Sequence, residues 1–171
     1  MKPPTPSWHP FQTCPAGERA PAPREVDSAA GIGDRLRAAA FAEIQARDAF
    51  LWAADTFADS PADLRGAWRA LARAEQKHLD WLLIRMKELG IDPAERPVSD
   101  QLWHSFVECE TAEKFARYMA SAEERGRRAG IRFREAMAKV DPVSAEIFGK
   151  IADEELEHIQ LAERFFPRAE S

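Results

Sequence analysis

Cysteine is nearly absent: Cys14 and Cys109 are the only two in 171 residues. Two cannot build a disulfide framework or a four-cysteine metal centre, and their scarcity fits a reducing compartment. The cytoplasm is therefore the expected location. Long hydrophobic runs are missing as well. No stretch approaches the roughly 18 apolar residues of a membrane span, and Met1-Lys2-Pro3-Pro4 is followed by no apolar run, so neither a membrane nor a leader is expected. Residues that favour sheet are few: Val, Ile and Thr together number 17 against 31 alanines. Nor does one sign of charge dominate. A net charge of -5 gives no general attraction to nucleic acid or anionic lipid. The expected fold class is all-α.

A chain of this length forms one domain. It hides about 70% of the surface its unfolded form exposes, so it needs no metal merely to hold a core. Any metal site would serve chemistry.

Seven of the twelve prolines lie in the first 23 residues, which excludes helix or sheet interior there. Residues 1–30 are expected to be an extended arm. Trp8 and Phe11 favour its packing on its own domain or a neighbour; the alternative is a disordered tail. Residues 31–171 form the domain proper. After Gly31 and Gly33, Asp34 can cap a first helix over about 34–58, with Leu36, Ala40, Glu43, Phe50 and Ala54 on one face. Ser60-Pro61-Ala62-Asp63 reads as the start of a second, carrying Leu64, Trp68, Glu75, His78, Leu82 and Met86 and ending at Gly90. The next twenty or so residues are too many for a simple helix-to-helix turn, which takes about 2–8. They read as a crossover holding a short helix capped by Ser99. A third long helix restarts at Thr111 with Phe115, Met119, Gly126 and Phe133 inward. A fourth is capped by Asp141-Pro142, carries Phe148, Ile151, Glu155, His158 and Ala162, and stops before Pro167.

Two Glu-x-x-His pairs stand on these helices, Glu75 with His78 and Glu155 with His158. Residues three apart on a helix are neighbours about 5–6 Å apart at Cβ, close enough to serve one metal centre. In a chain with 18 glutamates a single pair means little. Register and repetition decide the matter. All four residues fall on apolar faces, where an unpaired charge costs several kcal/mol. The inward faces of the first and third long helices each carry a glutamate too, Glu43 and Glu123. An offset of 80 superposes Glu43 on Glu123, Glu75 on Glu155 and His78 on His158, and also pairs Ala42 with Ala122, Arg47 with Arg127 and Ala72 with Ala152. The chain reads as two related helical hairpins. Glu124 adjoins Glu123, but the offset and the inward register favour Glu123.

Four buried carboxylates repel one another unless compensated. Two divalent cations cancel their charge, and four carboxylates with two imidazoles suit iron or manganese and are too oxygen-rich for structural zinc. One Glu from each of two helices and Glu-x-x-His from each of the others is the di-metal pattern of ferritin-like bundles. Over about residues 34–166 the sequence resembles the ferritin-like di-iron carboxylate superfamily, of rubrerythrin and bacterioferritin type. The resemblance implies a four-helix bundle with a long crossover and two Fe ions, with Mn as the other option. It further implies that Glu75 and Glu155 bridge the metals, with Glu43 and His78 completing one site and Glu123 and His158 the other.

Departures from the familiar branches narrow this reading. Rubrerythrins usually carry a cysteine-rich rubredoxin domain and a further glutamate one turn after the third-helix ligand, where this chain has Gly126. Bacterioferritins place a haem-ligating methionine where this chain has Gln76, and continue into a short fifth helix. A storage shell is not expected. The overall look resembles an uncharacterised group beside the tRNA-modifying hydroxylases. The expected function is a non-haem di-iron oxidoreductase, using oxygen or peroxide, an external electron donor and a small-molecule or tRNA substrate. The alternative is a ferritin-like iron-binding or iron-oxidising protein without an organic substrate.

Several other residues bear on that choice. Gly126 and Gly130 each cost about 1 kcal/mol relative to alanine inside a helix; they either leave room for dioxygen or substrate, or allow close helix packing. Arg47 and Arg127 sit one turn after Glu43 and Glu123 and are read either as hydrogen-bond partners of those carboxylates or as surface groups. Arg65, Arg69, Arg73 and Lys77 form a basic stripe, as do Arg125, Arg128 and Arg132. Such stripes are nucleic-acid contacts or solvated faces. Tyr118 is a redox participant or a core residue. Phe41 and Trp52, opposite Glu43, are expected to receive the arm or a second subunit of a homodimer.

Overall fold

The computed structural model describes residues 3–168; the first two residues of the 1–30 arm and the last three of the 31–171 domain lie outside the described residues. Five helices account for the regular structure: α1 (Ala29–Thr56), α2 (Ala62–Glu88), α3 (Gln101–Val107), α4 (Ala112–Met137) and α5 (Pro142–Phe165). Among the described residues there is no strand, only one isolated parallel bridge between Thr13 and Val98. The fold is all-α.

α1 begins earlier than its sequence implies. Ser28 is the cap, its hydroxyl accepting from the Gly31 N–H at 2.9 Å. Gly31 and Gly33 therefore lie inside the helix, and Asp34 is a buried residue of its second turn. Gly31 is there for a close approach. A Cβ on it would lie 1.7 Å from the Glu25 carbonyl oxygen, so only glycine lets the arm turn into the helix at this point. Gly31→Ala is expected to cost about 1–3 kcal/mol through forced backbone movement, read as a lower urea midpoint with an unchanged slope.

The other ends follow local chemistry. Pro61, not Ser60, occupies the α2 cap position and makes no side-chain capping bond. Gly90 adopts φ +67 beyond α2, and the Gly90 and Ile91 N–H groups return to the Lys87 and Met86 carbonyls, a left-handed helix stop. At α3 the cap position is Asp100, while Ser99 Oγ accepts from Gln101 N–H at 3.3 Å. Thr111 Oγ1 caps α4 and Asp141 Oδ1 caps α5, accepting from Lys114 and Ser144 N–H.

α1 packs along α2, and α4 along α5; contacts between the two hairpins, α1 with α4 and α2 with α5, are sparser. The result is a helical bundle whose core runs from Leu36 and Phe50 through Trp68 and Leu82 to Phe115 and Phe148. The arm packs on this domain. Trp8 sets its ring 5.4 Å from Phe41 and 5.9 Å from Trp103, Phe11 lies 5.2 Å from Phe41, and all four are buried. Phe41 thus receives the chain's own arm, whereas Trp52 sits against Phe57 and Phe115. Asp34 ties the layers together, accepting from Arg24 of the arm, Arg37 of α1 and Arg96 of the crossover. No helix among the described residues is long and apolar enough to cross a membrane.

Candidate metal centre

Helical periodicity on four separate helices turns six polar residues toward one point. α1 contributes Glu43, α2 contributes Glu75 and His78, α4 contributes Glu123, and α5 contributes Glu155 and His158. Each is at most 8% exposed. Every residue singled out from the sequence for this role is at the cluster. Glu124 is not: it lies on the α4 surface, where Arg127 and Arg128 take both its oxygens and hold its pKa down at about 2.

Donor atoms of Glu43, Glu75, His78 and Glu155 lie within 4.8 Å of one another, as do those of Glu75, Glu123 and His158. Glu75 is common to both groups. His158 Nδ1 stands 3.0 Å from Glu75 Oε1 and 3.8 Å from Glu123 Oε1; His78 Nδ1 stands 3.5 Å from Glu75 Oε2 and 3.7 Å from Glu43 Oε2. These approaches are close but not aligned as hydrogen bonds. Glu75 Oε1, both Glu123 oxygens, Glu155 Oε2 and the two Nδ1 atoms are buried without a hydrogen-bond partner. A native core rarely leaves one such group unmet, and here six such atoms lie together.

Charge explains the strain on the cluster. Burial, with Glu75 and Glu155 nearby, holds Glu123 well above the ordinary carboxylate range, and burial with Glu75 does the same to Glu43. Burial and Glu75 push Glu155 up to about 8. Glu75 goes the other way: burial works against its charge, but the close approach of Glu43, His158 and His78 outweighs burial and holds it low. Burial likewise opposes a charge on His78, and Glu43 and Glu75 outweigh it to lift the imidazole to about 11. Without a cation, Glu43, Glu123 and Glu155 thus favour their protonated forms.

A cavity of about 290 Å³ reaches the carboxylates from between α1 and α4. Ala38, Ala42 and Ala46 line it on one side and Ala122, Gly126 and Gly130 on the other, with Phe106, Met119, Phe133 and Phe148 closing the apolar walls. Glu43, Glu75, Glu123 and Glu155 also line it, whereas the two histidines lie outside the lining. Gly126 and Gly130 are the notable economy. Ala38 and Gly126 are exposed, so the space opens at the surface between the two helices. A Cβ on Gly126 would stand 3.7 Å from Glu155 Oε2.

Other expectations resolve locally. Arg47 gives its guanidinium to Asp48 and Gln76, and Arg127 gives its own to Glu124 while also lining the cavity and favouring the charged form of Glu155. Tyr118 packs on Phe106 and under Arg125, outside the cavity lining. The basic stripes are partly neutralised, with Arg69 on Asp55, Lys77 on Glu154 and Arg128 on Glu124. One participant was missed from the sequence. Glu154 Oε2 stands 2.8 Å from His78 Nε2. The repeat could not signal it, because the offset of 80 places Ala74 opposite Glu154.

Neither a curated protein nor a solved structure matches the chain. One family model does, described as a protein of unknown function (DUF455), over residues 2–171. With nearly its whole length matched, the chain belongs to the DUF455 family.

Proposed function

We propose that this protein is a ferritin-like, non-haem di-iron oxidoreductase that uses dioxygen or peroxide and an external electron donor to oxidise an organic substrate. The six unpartnered buried donor atoms carry the metal part of the reading. Four carboxylates and two imidazoles are a hard, oxygen-rich set that fits iron or manganese. Two such ions would supply the redox chemistry. Glu75, which belongs to both donor groups, would hold both ions, whereas Glu155 falls in the His78 group alone.

The chain's own part is to hold and exclude. Glu43, Glu123 and Glu155 must give up protons when cations enter, while His78 must present a bare Nδ1. The apolar walls around Ala42, Ala122 and Gly130 offer room for a reacting group beside the carboxylates. That cavity is what favours an oxidoreductase over an iron-binding or iron-oxidising protein without an organic substrate. Gly126 supports that choice, since its missing side chain leaves the cavity open beside Glu155, while Gly130 also packs against Phe148 and Ala152 of α5.

Protein purified from iron-replete cells is expected to carry about two metals per chain, and its ferrous form to change absorbance when oxygen is admitted. Less than one metal per chain sinks the reading. Loading is also expected to release protons, because Glu155 titrates near 8 and His78 near 11 in the metal-free protein. Both are protonated below those values, so metal affinity rises from pH 6 to pH 9 in about that interval. Calorimetric titration in buffers of different ionisation enthalpy reads the proton count directly.

A further inference from the structure

The two halves of the cluster repeat in sequence but not in their surroundings. His78 points Nδ1 into the cluster and Nε2 outward to Glu154 Oε2 at 2.8 Å. Glu154 is itself held by Lys77, whose ammonium stands 2.5 Å from the same oxygen and 5.0 Å from the centre of the Trp81 ring. The outward bond fixes the ring with Nδ1 facing the cluster, where an entering cation would displace its proton. His158 has no such support: among the described residues no carboxylate pairs with its Nε2, and the offset of 80 sets Ala74 where the other half has Glu154. The donors are uneven too. The group that contains His78 has four members, but the one that contains His158 has only three, Glu75, Glu123 and His158 itself.

We propose that Glu154 is a positioning residue that makes the two metal sites unequal: the Glu43, Glu75, His78 and Glu155 site binds first and retains its ion, and the Glu75, Glu123 and His158 site is the exchangeable one. The proposal rests on the di-metal reading above and adds an order to it. An ion with fewer protein donors keeps more positions for exogenous ligands, so the exchangeable site is also where an outside molecule binds metal.

Cobalt(II) is a suitable probe, because its visible absorption reports each binding step. The full-length metal-free protein is titrated by calorimetry and absorbance, and two separated steps are expected. Glu154→Ala is expected to weaken the tighter step 10–100-fold, the usual cost of losing such a partner, and to leave the weaker step unchanged. Glu154→Gln, which keeps an acceptor but not the charge, is expected to lose less. Both positions are partly exposed, and a Lys77→Gln variant that loosens Glu154 without touching it gives the same direction with a smaller loss. Two equal steps in the wild type, or equal weakening of both steps, or no change in either, overturns the proposal. Failure of the wild type to bind cobalt at all overturns the di-metal reading instead, so the two failures are distinguishable.

Discussion

Glu123→Gln is expected to yield a folded protein that has lost half of its metal. Both Glu123 oxygens are buried and unpartnered, and burial with Glu75 and Glu155 nearby pushes the group toward its neutral form in the metal-free state. A neutral amide of the same shape therefore replaces a neutral acid, and the metal-free variant is expected to melt within about 1 °C of the metal-free wild type, in line with a change under about 0.5 kcal/mol. The contrast appears on loading. A ligand present at about 100 times its dissociation constant stabilises the folded state by about 2.7 kcal/mol, so the wild type gains several degrees on adding iron or manganese. With a carboxylate gone from the three-donor group, the variant is expected to gain clearly less. Elemental analysis and paired melting curves check this. A variant that retains full metal shows that Glu123 holds no cation, and one that collapses without metal shows that it holds the fold.

Asp34→Ala carries the largest expected loss of stability. Asp34 accepts from the Arg24 backbone N–H and guanidinium, from Arg37 Nη1 at 3.0 Å and from Arg96 Nη1 at 2.6 Å. Arg37 is 2% exposed, and its remaining anion is Glu95, itself half-exposed. Removing one partner of a buried pair leaves an uncompensated charge and costs about 3–5 kcal/mol. The pH dependence has a definite sign. Burial alone would raise the Asp34 pKa, but Arg24 and Arg96 more than reverse it, so the folded-state value lies well below the ordinary one. Stability from a depressed carboxylate is fully present above about pH 4, its unfolded value, and is lost as pH falls through the folded one. The gap in unfolding free energy between wild type and Asp34→Ala is therefore expected to be constant from pH 5 to 8 and to shrink below pH 4. A gap that widens in acid contradicts the ion-pair account. The arm is the first segment expected to come loose, seen as changed fluorescence of Trp8 or Trp103.

Helices were legible because their apolar faces repeat at threes and fours, and four of the long-helix boundaries lie within a few residues of the capping signals. The beginning of α1 was not. Asp34 has the composition of a cap, and only the approach of Arg24 and Arg96 from distant parts of the chain shows that its carboxylate is used sideways. The arm is similar. Prolines exclude regular structure over residues 1–30 but do not say whether Trp8 finds a partner; Phe41 and Trp103, both far from it in sequence, provide one.

For the cluster the division is sharper. Six residues were selected by sequence alone, because charged groups on apolar faces at a repeated offset have few explanations. Their convergence needs four helices in one bundle, and the choice of Glu123 over Glu124 becomes visible as burial against exposure. Sequence also pointed to Gly126 and Gly130 as missing side chains without saying what filled the gap; the space between α1 and α4 is a property of helix separation. Glu154 was legible to neither composition nor repeat.

What the sequence determined by itself is the helical class, the two-hairpin repeat and the identity of the buried polar residues, since each is written in local spacing. What only the tertiary structure decided is which donors share a point, where the cavity opens, and which histidine has a carboxylate behind it. Those depend on side chains from different helices meeting at distances of 3–4 Å, and a register within one helix carries no information about its neighbour.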